Sequence, residues 1–142
     1  MKKLVSLILT VSMLLTLSSV GFAAVVDPDT PQQSNYFNSY GIVMSTPGNG
    51  KVVITFSCAG VGTCSQLGVA NYYVQKRNSS GEWVDVTGWL NGKCGYNVST
   101  YTFSKNFYGV AGEYYRVKCT FVCVKNGSME SKSYTGPIVR AR

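Results

Sequence analysis

The chain reads as an all-β protein, an antiparallel sandwich of seven strands behind an N-terminal signal peptide, and three observations carry that expectation. From Gly41 onward short β-rich runs alternate with turn residues, no segment sustains an apolar period of 3.6, and residues 1–23 have the layout of a secretory leader.

In the leader, the basic Met1-Lys2-Lys3 precedes an uncharged, mostly apolar run from Leu4 to Phe22 and then Ala23-Ala24. Cleavage after Ala23 puts the small residues Gly21 and Ala23 at the two recognition positions; an uncleaved anchor is the alternative, disfavoured by the Ser and Thr content and the Gly-Phe-Ala end. Cleavage leaves 119 residues, enough for one core. Eleven basic against six acidic residues then give a net charge of +5. That excess suits a cell-wall polymer, another anionic surface or an acidic protein, and equally serves ordinary solubility. Export argues against nucleic acid as a partner. No transmembrane segment, sorting motif or lipobox-like cysteine follows the leader, so a secreted, extracellular protein is expected.

Residues 24–40, with Pro28 and Pro31 and few aliphatics, read as a polar spacer, and 41–142 as the domain. Ile42 to Thr46 is the first expected strand, turned by Pro47-Gly48-Asn49-Gly50 into Lys51 to Cys58, where Val52, Ile54, Phe56 and Cys58 share the core face. A Gly-rich loop holding Gly60, Gly62, Cys64 and Gly68 leads to Ala70 to Asn78, with Tyr72 and Val74 inward and Tyr73, Gln75 and Arg77 wet. Ser79-Ser80-Gly81 closes a hairpin into Glu82 to Trp89, and Asn91-Gly92 and Gly95 precede the strand Asn97 to Ser104. Asn126-Gly127 joins Glu113–Lys125 to Ser128–Arg140 as a type I′ hairpin. A strict two-residue loop there sets Lys132 opposite Phe121 and Glu130 opposite Cys123, charge on the core face, unless a bulge or longer loop shifts the register. Asn78-Ser79-Ser80, Asn97-Val98-Ser99 and Asn126-Gly127-Ser128 fit the glycosylation pattern and are read as turns.

The stretch Ala111 to Ser133 resembles the penultimate hairpin of fibronectin type III and related immunoglobulin-like domains. Tyr115 matches that family's tyrosine corner, with Val117 and Cys119 at the following inward positions; Tyr72-Tyr73-Val74 with Gly81-Glu82-Trp83 is similar to its middle hairpin, and Lys51 to Phe56 to its second strand. The chain departs from the family in having Phe56 where a second-strand tryptophan is usual, Tyr72 and Tyr73 where antibody domains have one in the third, and in its cysteines. The resemblance implies an immunoglobulin-like sandwich and transfers no functional residue. The short Lys-Lys leader and small size resemble the small secreted proteins of Gram-positive bacteria.

In a sandwich of that kind Cys58, Cys64, Cys94 and Cys123 fall near one end and Cys119 lies deeper. The preferred bridges are Cys58 to Cys123 and Cys64 to Cys94, leaving Cys119 as a buried thiol; Cys58 with Cys119 and Cys58 with Cys64 are the rivals. Zinc is disfavoured by the spacings and by the absence of histidine.

That absence also removes Ser-His-Asp and Cys-His arrangements and the commonest general base. Glu82 and Asp85, the nearest thing to a carboxylate pair, sit three apart on a strand and point to opposite faces. No catalytic residue, metal or cofactor is therefore expected. Ten tyrosines and two tryptophans leave recognition as the open role. Trp83 and Trp89 share strand parity, either in the core or as a carbohydrate or peptide platform. Tyr73, Arg116 and Lys118 should face solvent, where a basic stripe suits an anionic polymer or merely keeps the sheet soluble. The expected function is a secreted, non-catalytic binding or surface-interaction module. The alternative is a secreted cationic effector, antimicrobial or membrane-active.

Overall fold

The structure is a computed structural model and describes residues 34–142. The expected signal peptide, and the expected spacer up to residue 33, lie outside the described residues. Eight strands form one antiparallel sheet: β1 (Phe37–Gly48), β2 (Lys51–Arg77), β3 (Trp83–Asp85), β4 (Leu90–Asn91), β5 (Cys94–Tyr108), β6 (Tyr114–Lys125), β7 (Ser128–Thr135) and β8 (Val139–Arg140). The described residues contain no helix. The all-β, antiparallel expectation holds, but eight strands in one curled sheet replace seven in two.

The main difference lies in β2. Its 27 residues take in both the second and the third expected strands, because the Gly-rich stretch between them stays extended instead of looping. The first half of β2 lies between β1 and the second half of β5, and its second half lies between β6 on one side and β3, β4 and the start of β5 on the other. The switch of neighbours comes at Gly60–Thr63, where pairing with β5 breaks between Ala59 and Cys64. Backbone groups at the bend are still engaged, since the Val61 N–H donates to Tyr36 O at 2.7 Å. The other expected strands are also subdivided. Glu82–Trp89 shortens to β3 because Val74 N–H donates to the Thr87 hydroxyl, displacing a ladder bond, and Ser128–Arg140 breaks into β7 and β8 around Gly136 and Pro137.

Curling brings the inner faces of the two halves together. Val52, Ile54, Phe56 and Cys58 of the first half are buried, as the period-2 pattern requires, and so are Leu67, Val69, Tyr72 and Val74 of the second and Tyr115, Val117, Cys119, Phe121 and Cys123 of β6. Aromatic pairs link the halves: Phe56 to Tyr72 at 5.1 Å between ring centroids, Phe107 to Tyr115 at 5.3 Å and Tyr40 to Phe121 at 5.4 Å. Strand β1 starts at Phe37, four residues before the expected domain boundary, since Phe37 and Tyr40 are needed to cover the inner face of β6 and β7.

That cover also settles the β6–β7 hairpin. Asn126 (φ 51°) and Gly127 (φ 76°) form a strict two-residue turn, and Lys132 does pair with Phe121 and Glu130 with Cys123, without a bulge. The charges are accommodated at the edge of the core. Lys132 Nζ lies 3.1 Å from Glu130 Oε1, while Glu130 Oε2 accepts hydrogen bonds from Ser34 Oγ (3.0 Å) and the Tyr36 N–H (2.9 Å). Desolvation works to raise the Glu130 pKa, but these donors and the Lys132 charge outweigh it and hold the carboxyl below its usual value.

Candidate functional site

The outer face of the second half of β2 gathers the five expected ligand-contact residues. Inward Tyr72 and Val74 alternate with outward Tyr73 and Gln75, and inward Val117 and Cys119 with outward Arg116 and Lys118. Antiparallel register then sets Gln75 between Asp85 of β3 and Arg116 of β6, and Tyr73 opposite Lys118. The Gln75–Asp85 pairing follows from the local hairpin through Ser79-Ser80-Gly81, whereas no sequence spacing encodes the pairings with Arg116 and Lys118, which join β2 to a distant strand.

Across the first of these rows runs a closed hydrogen-bond ladder. Gln75 Nε2 donates to Asp85 Oδ1 at 2.7 Å, and Arg116 Nε donates to Gln75 Oε1 at 2.8 Å. The Arg116 guanidinium also lies 4.3 Å from the ring centroid of Trp83, within cation–π range. Gln75, expected to be wet, is accordingly only 8% exposed. Sequence reasoning missed it because a lone glutamine on an outward position carries no signal of burial. Trp83 lies against this ladder and not in the core.

The next row is more open. Trp89, in the segment between β3 and β4, packs edge-on against Tyr73 with centroids 4.5 Å apart and remains 64% exposed. Asn71, two residues before Tyr73, has a buried Oδ1 with no hydrogen-bond partner among the described residues. The resulting surface presents an exposed indole on a tyrosine, a second indole capped by arginine, and Lys118 at the strand position paired with Tyr73. Asp85 contributes the one carboxylate in the ladder, and it is already bonded to Gln75. Such a surface can stack on planar or ring-shaped groups and attract negative charge. Glu82, the other acid weighed for catalysis, accepts from Asn78 Nδ2 at 3.2 Å in the hairpin turn.

The cysteines gather at one end of the core, but not in the expected pairs. Cys123 Sγ lies 2.8 Å from Cys64 Sγ, so one member of each preferred bridge faces one member of the other. The sulfur contact of Cys58 is to Tyr101 O at 3.6 Å, and that of Cys94 is to Val69 O at 3.7 Å. No disulfide joins the five thiols in this structure. Burial pushes the Cys58 thiol up to about 12, with Cys94 and Cys64 adding to the effect, and raises Cys119 further. Among the described residues no group of three His, Cys, Asp or Glu side chains could hold a metal ion, and no helix is long and apolar enough to cross a membrane.

No protein-family model and no curated protein matches the chain. Among solved structures, a protein from Archaeoglobus fulgidus aligns with 75% of this chain and 98% of its own at 11% identity and a TM-score of 0.40, a likeness that carries no argument about function.

Proposed function

We propose that the chain is an exported, non-catalytic binding module of immunoglobulin-like architecture, and that the outer face carrying Trp89, Tyr73, Trp83, Arg116 and Lys118 recognises an anionic polymer of the cell wall. The architectural reading treats the two halves of β2 as the second and third strands of such a domain. It is supported by the Tyr115 hydroxyl, which accepts the Val110 N–H at 2.8 Å across the β5–β6 connection in the manner of a tyrosine corner. The observation that carries the functional reading is the convergence on one sheet face of both tryptophans, from β3 and the β3–β4 connection, and of two cations from β6, with Trp89 largely open to solvent. A largely exposed indole packed on a tyrosine, on the same face as Arg116 and Lys118, supports reading this face as a recognition surface and not merely one kept soluble.

Co-sedimentation of residues 24–142 with purified wall material, and separately with anionic liposomes, tests this at low and high salt. Wall binding that persists at high salt and falls at least tenfold in Trp89→Ala is the expected result. Equal, salt-labile binding to both surfaces would reduce the role of this face to unspecific charge attraction, and lysis of the liposomes would favour a cationic effector.

A further inference from the structure

Two cysteines 59 positions apart in the chain meet at the bend of β2. Cys64 is the first residue beyond the break in the β2–β5 pairing, and Cys123 stands near the end of β6, opposite Leu67. Both are 0% exposed. Their sulfur atoms, 2.8 Å apart, are well inside the roughly 3.5–4.0 Å at which even carbon atoms pack. The polar atoms near them are more distant, Gly62 O at 3.7 Å from Cys64 Sγ and Tyr36 O at 3.9 Å from Cys123 Sγ. Local sequence prepares the meeting: a Cβ on Gly60 would fall on Cys64 Sγ, so that thiol folds back under the bend only because residue 60 has no side chain.

We propose that Cys64 and Cys123 are the cross-linking pair of this protein, forming a disulfide that fastens the bend of β2 to the end of β6. The bridge replaces both pairings that the sequence favoured, because the extended Gly60–Gly68 segment carries Cys64 beneath the bend to β6. The oxidant is a donor disulfide, of the small-molecule or thiol-oxidoreductase class. The thiolate of one cysteine attacks a donor sulfur, forming a mixed disulfide and expelling one donor thiol. The other cysteine then attacks the mixed disulfide at the sulfur belonging to this chain, expelling the second. Two protons and two electrons leave the pair, and the donor is reduced to two thiols.

Burial decides when this happens. Desolvation pushes the Cys123 thiol up to about 12, with the neighbouring Cys64, Glu130 and Cys58 adding to it, and neither sulfur touches solvent. A donor therefore reaches the pair while the chain is still folding, and the finished bridge is shielded from reductants.

Disulfide mapping tests the pairing. Cys58 and Cys64 share the tryptic peptide 52–76, and Cys119 and Cys123 share 119–125, so the assignment is made in the Cys58→Ala/Cys119→Ala variant refolded with oxidised glutathione. Peptide 52–76 linked to 119–125 is the expected result. A link from either peptide to 94–105, or no link, overturns the proposal. Because the double variant is altered in the core, the unmodified chain supplies an independent readout. Reduced under denaturant and refolded without oxidant, it should melt roughly 10 °C below its oxidised form, with the oxidised form resisting dithiothreitol until denaturant is added. Equal melting temperatures, or ready reduction in the folded state, would overturn the bridge.

Discussion

Replacing Tyr115 with Phe isolates one hydrogen bond on which the architectural reading rests. The ring is 2% exposed and packs against Phe107, so the substitution leaves the hydrocarbon contacts in place and removes only the hydroxyl that accepts the Val110 N–H at 2.8 Å. Losing a typical intramolecular hydrogen bond costs about 1 kcal/mol, and a donor left buried without a partner raises that to about 1–3 kcal/mol. Val110 lies at the exposed β5–β6 connection and its bond to Tyr115 is only part-buried, so the lower figure is the expected cost. For a domain of this size that is a fall of about 4–8 °C in Tm, or about 0.5 M in the urea midpoint, with the slope unchanged. Urea unfolding of Tyr115→Phe beside Tyr114→Phe, whose ring is exposed, reads the difference. A midpoint for Tyr115→Phe that coincides with that of Tyr114→Phe would show that the bond across the β5–β6 connection contributes nothing.

Phe121→Ala removes a fully buried ring that packs on Tyr40 and Tyr134, and should destabilise by about 3–5 kcal/mol in the same urea assay. Glu130 has its pKa lowered in the fold, so its contribution to stability is fully present above the unfolded value and disappears as pH falls through the folded value; the gap in urea midpoint between the unmodified chain and Glu130→Gln should be widest at neutral pH and close as pH falls below the ordinary carboxylate range. In the reduced, folded protein Cys58, Cys119 and Cys123 should resist alkylation at neutral pH, because burial holds their thiols protonated, and all should react in denaturant when followed by mass spectrometry.

Much of the architecture is local and so was legible in advance. The alternation of Val52, Ile54, Phe56 and Cys58, and of Tyr115 through Cys123, marks one face of each strand for burial whatever the partner strand is. Asn126-Gly127 specifies its hairpin through backbone conformation alone, which is why, of the alternatives the sequence left open, the unbulged register placing Glu130 against Cys123 forms despite its charge. The Gly-rich stretch misled because glycine permits a turn without requiring one, and here backbone bonds to Tyr36 and pairing with Val98 keep it extended. Gln75 was placed on the correct face and given the wrong environment, since its burial comes from Asp85 and Arg116 on two other strands.

By itself the amino-acid sequence determined that the described domain is all-β and antiparallel, which residues of the strands beginning at Lys51, Ala70 and Glu113 face inward, and that no histidine is present to act as a base. These follow from side-chain type and a period of two, both properties of neighbouring residues. Only the tertiary structure decided that the second and third expected strands are one, that Trp83 and Trp89 lie outside the core on a face shared with Tyr73, Arg116 and Lys118, and that Cys64 meets Cys123. Each of these depends on which distant segment pairs with which half of β2, and that choice is made by packing the two inner faces together at the curl.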